Sequence, residues 1–210
     1  MAKYFILMGD VIASSDADND KLRRHFKSLV SACNSSVRNH ILSPYTITLG
    51  DEFQGIASSL RAIVESIFFF EEESIKKKYS FKIRYVAHYG EIQTPINEEI
   101  AYEMLGPGLT KARKLLTQKR RNRPRFLIDL PDQKLSNNIN RLFQVVGNLM
   151  DRWNIKDFSI IDDMILNSNN EQVAAKHGKN RTQIWKRRNN LLIEEYKLIK
   201  DVLFDLIEES

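Results

Sequence analysis

The stretch Tyr45-Thr-Ile-Thr-Leu-Gly-Asp-Glu-Phe-Gln-Gly-Ile-Ala57 decides the fold. Two runs of β-type residues flank a Gly50-Asp51 tip, the pattern of a β-hairpin. Strands are predicted over 45–49 and 52–57, with the Asp51 carboxylate at the end of the pair. A second apolar run, Lys3-Tyr-Phe-Ile-Leu-Met-Gly9, reads as a buried strand and also runs into Gly-Asp, at Asp10. Laid side by side, these strands bring two carboxylates together. Converging Asp side chains at strand ends are how a palm-type nucleotide enzyme holds Mg²⁺ under a triphosphate. Gly-Asp also makes tight turns without any metal, and from the spacing alone both readings stand.

The pattern continues on either side. A helix is predicted over Asn19 to Ile41, with Leu22, Phe26, Leu29, Val30, Cys33 and Val37 on one face. Ser58 and Ser59 are N-cap candidates for a helix through Lys78, whose final lysines suit the negative pole of the helix dipole. Residues 81–89 alternate as a strand. Asn97 to Met104 reads as a short helix, Gly106-Pro107-Gly108 opens another over Leu109 to Gln118, and Pro124 to Leu130 is a last strand. The order β-α-β-β-α-β-α-β contains the split β-α-β arrangement. It predicts an α+β, ferredoxin-like domain over residues 1–130, a largely antiparallel sheet with helices mostly on one face.

After Leu130 only helical patterns remain: 139–153, 156–166, 170–177 and a long run from Arg181 to about Glu208. Residues 131–210 are therefore expected to form an all-α domain. Within it, Asn170 to Gly178 followed by Lys179 to Arg188 has the layout of a helix-turn-helix. Val173, Ala174 and Ile184 point inward, Gly178 makes the turn and Asn180 caps the second helix. Lys179, Arg181, Thr182, Gln183, Lys186, Arg187 and Asn190 would then face outward, residue types that contact phosphates and base edges. Trp185 is expected in a core or an interface. An ordinary helical hairpin in a bundle would share this layout. The apolar repeat from Leu191 to Ile207 would pack the module or pair two chains as a homodimer.

The chain has 210 residues and a net charge of +5. The charge is uneven: no acid lies between Glu103 and Asp129 or between Glu171 and Glu194, while both windows are rich in Lys and Arg. Such fields suit polyanions, either nucleotide phosphates or a nucleic-acid backbone. No apolar run approaches the roughly 20 residues of a membrane helix, so no membrane partner is expected. The N-terminal run lacks a basic leader and reads as a core strand. With the single cysteine, Cys33, this leads to the expectation of a reducing, cytoplasmic compartment. His25, His40 and His177 have no metal-ligand spacing to one another or to Cys33, which argues against zinc. His88 reads as a partly buried strand histidine. Glu52 and Gln54 are expected on the opposite face of their strand from Asp51, with Glu52 as a solvent or hairpin residue or, alternatively, a member of the metal site. Ser14 and Ser15 follow Asp10 and could approach a phosphate or cap a turn. No Walker-type loop, dinucleotide fingerprint or nucleophile elbow is present.

Four ordered blocks carry a family resemblance: Met8-Gly-Asp-Val-Ile-Ala-Ser-Ser15, Thr48-Leu-Gly-Asp-Glu-Phe-Gln-Gly55, Ile83-Arg-Tyr-Val-Ala-His-Tyr-Gly90 and Leu105-Gly-Pro-Gly-Leu-Thr-Lys-Ala-Arg113. Together they resemble the SatD family of bacterial proteins, along the full chain. The first three-fifths is more distantly similar to class III nucleotide cyclases and the related GGDEF and CRISPR-polymerase palm domains. That resemblance implies Asp10 and Asp51 as metal carboxylates, with Mg²⁺ as cofactor. The chain departs from the cyclase pattern where a purine-selecting Lys is replaced by Ile47 and a ribose-orienting Asn by Thr110. The transition-state Arg position falls on Lys114, or on Arg113 if the register slips by one.

The expectation is a bacterial regulator: a cyclase-like domain binding a nucleotide and Mg²⁺ through Asp10 and Asp51, with Ser14, Lys111, Arg113 and Lys114 at the phosphates, coupled to a DNA-binding helix-turn-helix. One alternative is an active cyclase or nucleotidyltransferase using Asp10, Asp51 and Lys114. The other is a non-catalytic interaction protein.

Overall fold

The computed structural model describes residues 2–12, 19–118 and 123–208. Strand β1 (Lys3–Ile12) leads through α1 (Asn19–Ser36) to the hairpin of β2 (Ile41–Ile47) and β3 (Glu52–Ala57). Helix α2 (Leu60–Lys76), β4 (Lys82–Glu91), α3 (Pro107–Thr117) and β5 (Phe126–Asp129) follow. The sheet order is β2-β3-β1-β4-β5. The central β1 is antiparallel to both β3 and β4, and β2 is antiparallel to β3. The β4–β5 pair is parallel, because α3 carries the chain back to the same end of the sheet before β5 begins. The sheet is therefore largely antiparallel, as expected, and mixed only at its fifth strand.

Most helices pack on one face of the sheet, as expected, and α3 covers the other. Leu7 and Val11 of β1 pack with α1 and α2 in the larger core, beside Phe26, Ile63, Phe70 and Tyr85. Ile6 and Met8 project the other way and pack with Ile56, Val86 and, from α3, Leu109 and Ala112. Burial on both sides explains why β1 reads as a continuous apolar run instead of alternating. Close approach of α3 requires glycine: a Cβ on Gly90 would sit 2.7 Å from the Gly108 Cα, and one on Gly108 would sit 2.7 Å from the Gly90 carbonyl carbon.

Three sequence expectations are corrected. Helix α1 stops at Ser36 and β2 already begins at Ile41. There the Asn34 side chain accepts a hydrogen bond from Tyr45 N and donates one to Tyr45 O, both 2.8 Å, clamping the helix end to the strand. Residues 97–104 are not helical. Their backbone is pinned to the sheet, Ala101 N donating to Thr46 Oγ1 and Gln54 Nε2 to Ala101 O. The long helix expected from Arg181 breaks in two at Leu192, whose φ is +54°. The break is held by Trp153 Nε1, which donates to Leu191 O at 2.8 Å.

Beyond β5 come α4 (Gln133–Met150), α5 (Phe158–Leu166), α6 (Asn170–Lys176), α7 (Arg181–Asn190) and α8 (Ile193–Glu208). Asp132 caps α4 at Leu135 N. Phe68 of α2 stacks on Phe143 of α4 and meets Tyr196 and Phe204 of α8. The hydrophobic core thus runs without a break from the sheet into the C-terminal helices. No described helix is long and apolar enough to cross a membrane.

Candidate functional site

The hairpin register builds the site. Thr48 N donates to Glu52 O at 2.9 Å, so Leu49, Gly50 and Asp51 form the loop, and Gly50 takes the φ of +85° that the turn needs. Val11 N then donates to Asp51 O at 3.0 Å, drawing the loop over the end of β1. Asp10 lies opposite Glu52 on β3 and opposite Arg84 on β4. Cross-strand partners share a face, so Thr48, Glu52, Asp10 and Arg84 form one row across the sheet, on the face that α3 covers.

This corrects the expectation for Glu52, which faces the site and not bulk solvent. Arg113 from α3 closes on it, Nη1 to Oε2 at 3.2 Å. Arg84 Nη1 lies 3.6 Å from Asp10 Oδ2, with the two side chains only 16% and 24% exposed. Arg123 donates through one nitrogen, Nη1, to the Leu116 and Gln118 carbonyls at the end of α3, a cation placed on the negative pole of the helix. Its charge is felt at both Asp10 and Arg84.

The electrostatics are strained in a telling way. Burial pushes the Asp10 carboxyl up to about 6, and the neighbouring Asp51 and Glu52 charges push it the same way, against the pull of Arg84 and Arg123. Burial also lowers the Arg84 guanidinium from its ordinary value, and the like charge of Arg123 adds to that. Among the described residues, Arg84 Nε and Thr48 Oγ1 are buried polar atoms without a hydrogen-bond partner, and they stand at opposite ends of the row.

The remaining expected site residues divide. Arg113 joins the row. Lys111 is held by Asp129 at 2.7 Å, beside His88, which contacts the same carboxylate at 2.7 Å, several residues along β4 from Arg84. Lys114 is exposed on α3. Ser14 and Ser15 lie outside the described residues. Arg84 and Arg123 were not among the expected site residues, and Glu52 was only an alternative there. The β1–β4 and β1–β3 registers would have revealed Arg84 and Glu52, but registers cannot be read from composition. Among the described residues, no group of three or more His, Cys, Asp or Glu is arranged to hold a metal ion. A broad groove of about 1580 Å³ lies elsewhere, between α1, β2 and residues 96–99. None of Asp10, Glu52, Arg84 or Arg113 lines it.

In the C-terminal part, α6 and α7 flank Gly178, whose φ is +59°. Asn180 and Gln183 form a reciprocal capping box at the start of α7, and Ile184 is fully buried. Lys179, Arg181, Thr182, Gln183, Lys186 and Asn190 are exposed as expected. Arg187 is instead half-buried and ion-paired with Asp157. Trp185 is 53% exposed, so it is not a core residue.

The fold and site define a class: an α+β protein with a split β-α-β sheet, an acidic and basic row at its strand ends, and a helical C-terminal part packed on the same core. The chain belongs to the SatD family, whose model matches residues 4–190. No curated protein matches it. Among solved structures it is similar to the catalytic core of a rhodopsin-guanylyl cyclase with converted specificity in complex with ATPalphaS. The two share 14% identity and a TM-score of 0.34, over 57% of this chain and 75% of that one.

Proposed function

We propose that this is a regulatory protein whose sheet binds a nucleotide with Mg²⁺ and whose C-terminal helices bind DNA. The observation that carries the reading is the delivery of Asp10, Asp51 and Glu52 to one end of the sheet, with arginines facing them. Mg²⁺ is commonly held by one or two carboxylates plus phosphate oxygens, and Asp10 and Asp51 are hard-oxygen donors of that kind. When bound, the cation would neutralise phosphate charge. Arg113, paired with Glu52 next to Asp51, is the candidate to hold a phosphate, whereas Lys111 pairs with Asp129 several residues away.

The DNA reading rests on α6, the Gly178 turn and α7 as a helix-turn-helix. The exposed Lys179, Arg181, Thr182, Gln183, Lys186 and Asn190 are suited to phosphates and base edges. Arg187 contributes less, because Asp157 already satisfies it. Coupling between the two sites is supported by the shared core: Tyr196 Oη of α8 donates to Glu72 of α2 at 2.8 Å, and Phe68 packs against α4 and α8. Ligand binding at the sheet would then shift how the helices pack.

Titration calorimetry of ATP and GTP with Mg²⁺ into wild type and Asp51→Asn tests the first half. Saturable binding lost in the variant is expected, and no binding to either protein would sink it. Product analysis of the same mixtures distinguishes a sensor from a cyclase or nucleotidyltransferase that uses Asp10, Asp51 and Lys114. For DNA, Lys186→Ala combined with Arg181→Ala should weaken binding and flatten its salt dependence. Unchanged affinity and slope would remove the DNA half.

A further inference from the structure

The sheet ends at β5, and a groove of about 650 Å³ runs between that edge and α4. Tyr85 N donates to Arg125 O at 2.8 Å. Arg125 and Leu127 therefore turn their main-chain groups to β4, while Phe126 and Ile128 turn theirs to the open side. Asn140 of α4 takes up Ile128: its Oδ1 accepts from Ile128 N and its Nδ2 donates to Ile128 O, both 2.8 Å. One carboxamide thus fills the place of a neighbouring strand, as Asn34 does at the β2 edge. Phe126 lies two residues back on the same side, and among the described residues no side chain bonds its N–H or C=O. Asn137, Arg141, Gln144 and Asn148 line the groove from α4, and all four are exposed. Their spacing of i, i+4, i+7 and i+11 makes one stripe about 16 Å long, the length of about five extended residues. Among the described residues, no hydrogen bond or ion pair engages those four side chains. Asp151 is the one acid among the described residues that line the groove, and it is already paired with Lys82 and Arg125.

We infer that this groove binds an extended, acidic segment of another protein as a sixth strand. The segment pairs through its main chain with Phe126. On its other side Gln144 and Asn148 bond its peptide groups as Asn140 bonds Ile128, because a carboxamide carries the same donor and acceptor as a peptide group. Arg141, which has no acid of its own, receives a carboxylate. The Asn140 clamp stops the added strand short of Ile128, so the pairing is brief and the helix stripe shares in the affinity. Amides and arginines also suit single-stranded nucleic acid, but such binding uses open aromatic faces. The two rings here, Phe126 and Phe143, are buried and stacked on each other with centroids 5.0 Å apart. The observations therefore favour a peptide. Neither nucleotide nor DNA binding elsewhere in the chain is needed for it.

The test uses the full chain and fluorescein-labelled hexapeptides. One alternates Glu with Val, one alternates Lys with Val, and one repeats the Glu–Val sequence with its Glu nitrogens methylated. Fluorescence anisotropy should show saturable binding of the Glu–Val peptide, with the other two weaker by about tenfold or more. Amide exchange followed by NMR should slow at Phe126 when that peptide is added and stay unchanged at Ile128, which Asn140 already holds. Arg141→Glu should reverse the preference between the Glu and Lys peptides. Gln144→Ala combined with Asn148→Ala should weaken the Glu–Val peptide by about tenfold. All three positions are exposed, and circular dichroism and Tm establish that each variant is folded. The proposal is overturned by no saturation below about 1 mM, by equal affinity for the Glu and Lys peptides, or by binding that both variants leave intact. Binding of a labelled oligothymidylate and of none of the peptides would give the groove to single-stranded nucleic acid and overturn it as well. So would exchange at Phe126 that slows with protein concentration alone, which would seat a second copy of this chain there.

Discussion

Asp10 stands directly across the β1–β3 ladder from Glu52, and Asp51 precedes Glu52 in the chain. Three acids therefore meet at one strand end, and the fold bears a cost for holding them there. The direction of that cost follows from proton linkage. The Asp10 carboxyl is raised from 3.8 to about 6, by burial first and then by Asp51 and Glu52. Between those pH values the folded chain holds more protons at this site than the unfolded chain. Stability at this site therefore falls as pH rises from about 4 through about 6. Asp10→Asn removes the penalty. It should stabilise the protein by on the order of 2 kcal/mol at pH 7.5 and hardly at all near pH 4. Thermal melts of both proteins across that range check it. An equal Tm difference at both ends would show that Asp10 is not perturbed.

Asn34 reaches from α1 to both backbone polar groups of Tyr45 on the edge strand β2. Such a clamp occupies groups that an edge strand would otherwise offer to another chain. Asn34→Ala should cost about 1–2 kcal/mol and raise concentration-dependent light scattering on heating. Asn34→Asp keeps the acceptor but loses the donor, and should fall between the two. Urea unfolding with scattering at several concentrations measures both effects.

The Gly90–Gly108 contact sets the height of α3 over the sheet, and with it the reach of Arg113 to Glu52. Gly108→Ala places a methyl against the β4 backbone, which cannot yield as a flexible side chain would. A loss of about 1–3 kcal/mol is expected. An Ala variant with wild-type Tm would mean that α3 is not held by this contact.

The succession of strands and helices was legible because apolar runs and turn residues mark each element independently: the Gly50-Asp51 tip, the Ser59 cap and the Gly106-Pro107 start each announce themselves locally. The site was only half legible. Asp10 and Asp51 sit beside turn glycines, where any reader looks. Glu52 and Arg84 become site residues through strand register, a long-range property that periodicity within one strand does not encode. The break at Leu192 was hidden for the same reason. Its neighbours repeat at helical spacing, and tertiary contacts, Trp153 to Leu191 O and the buried Arg188, override that local pattern.

Arg188 shows how a basic window can mislead about function. It lies in the same run as Lys186 and Arg187, yet its side chain is 5% exposed. It donates to Met164 O at 2.9 Å, Asn167 O at 2.6 Å, Asn170 Oδ1 at 2.9 Å and Glu194 Oε1 at 2.8 Å. One guanidinium thus satisfies carbonyls at the end of α5, ties down the start of α6 and anchors the first turn of α8. Arg188→Ala strips the buried Met164 carbonyl and the partly buried Asn167 and Asn170 oxygens of their donor, and should destabilise the chain by about 3–5 kcal/mol. Arg188→Lys should recover little, because an ammonium cannot reproduce the planar fork of donors. Lys186→Ala, one turn face away and exposed, should leave Tm within about a degree, a surface change of the kind that rarely exceeds 0.5 kcal/mol. Unfolding curves of the three variants decide the matter. If Arg188→Lys were as stable as wild type, the fork would not be what holds α5, α6 and α8 around α7.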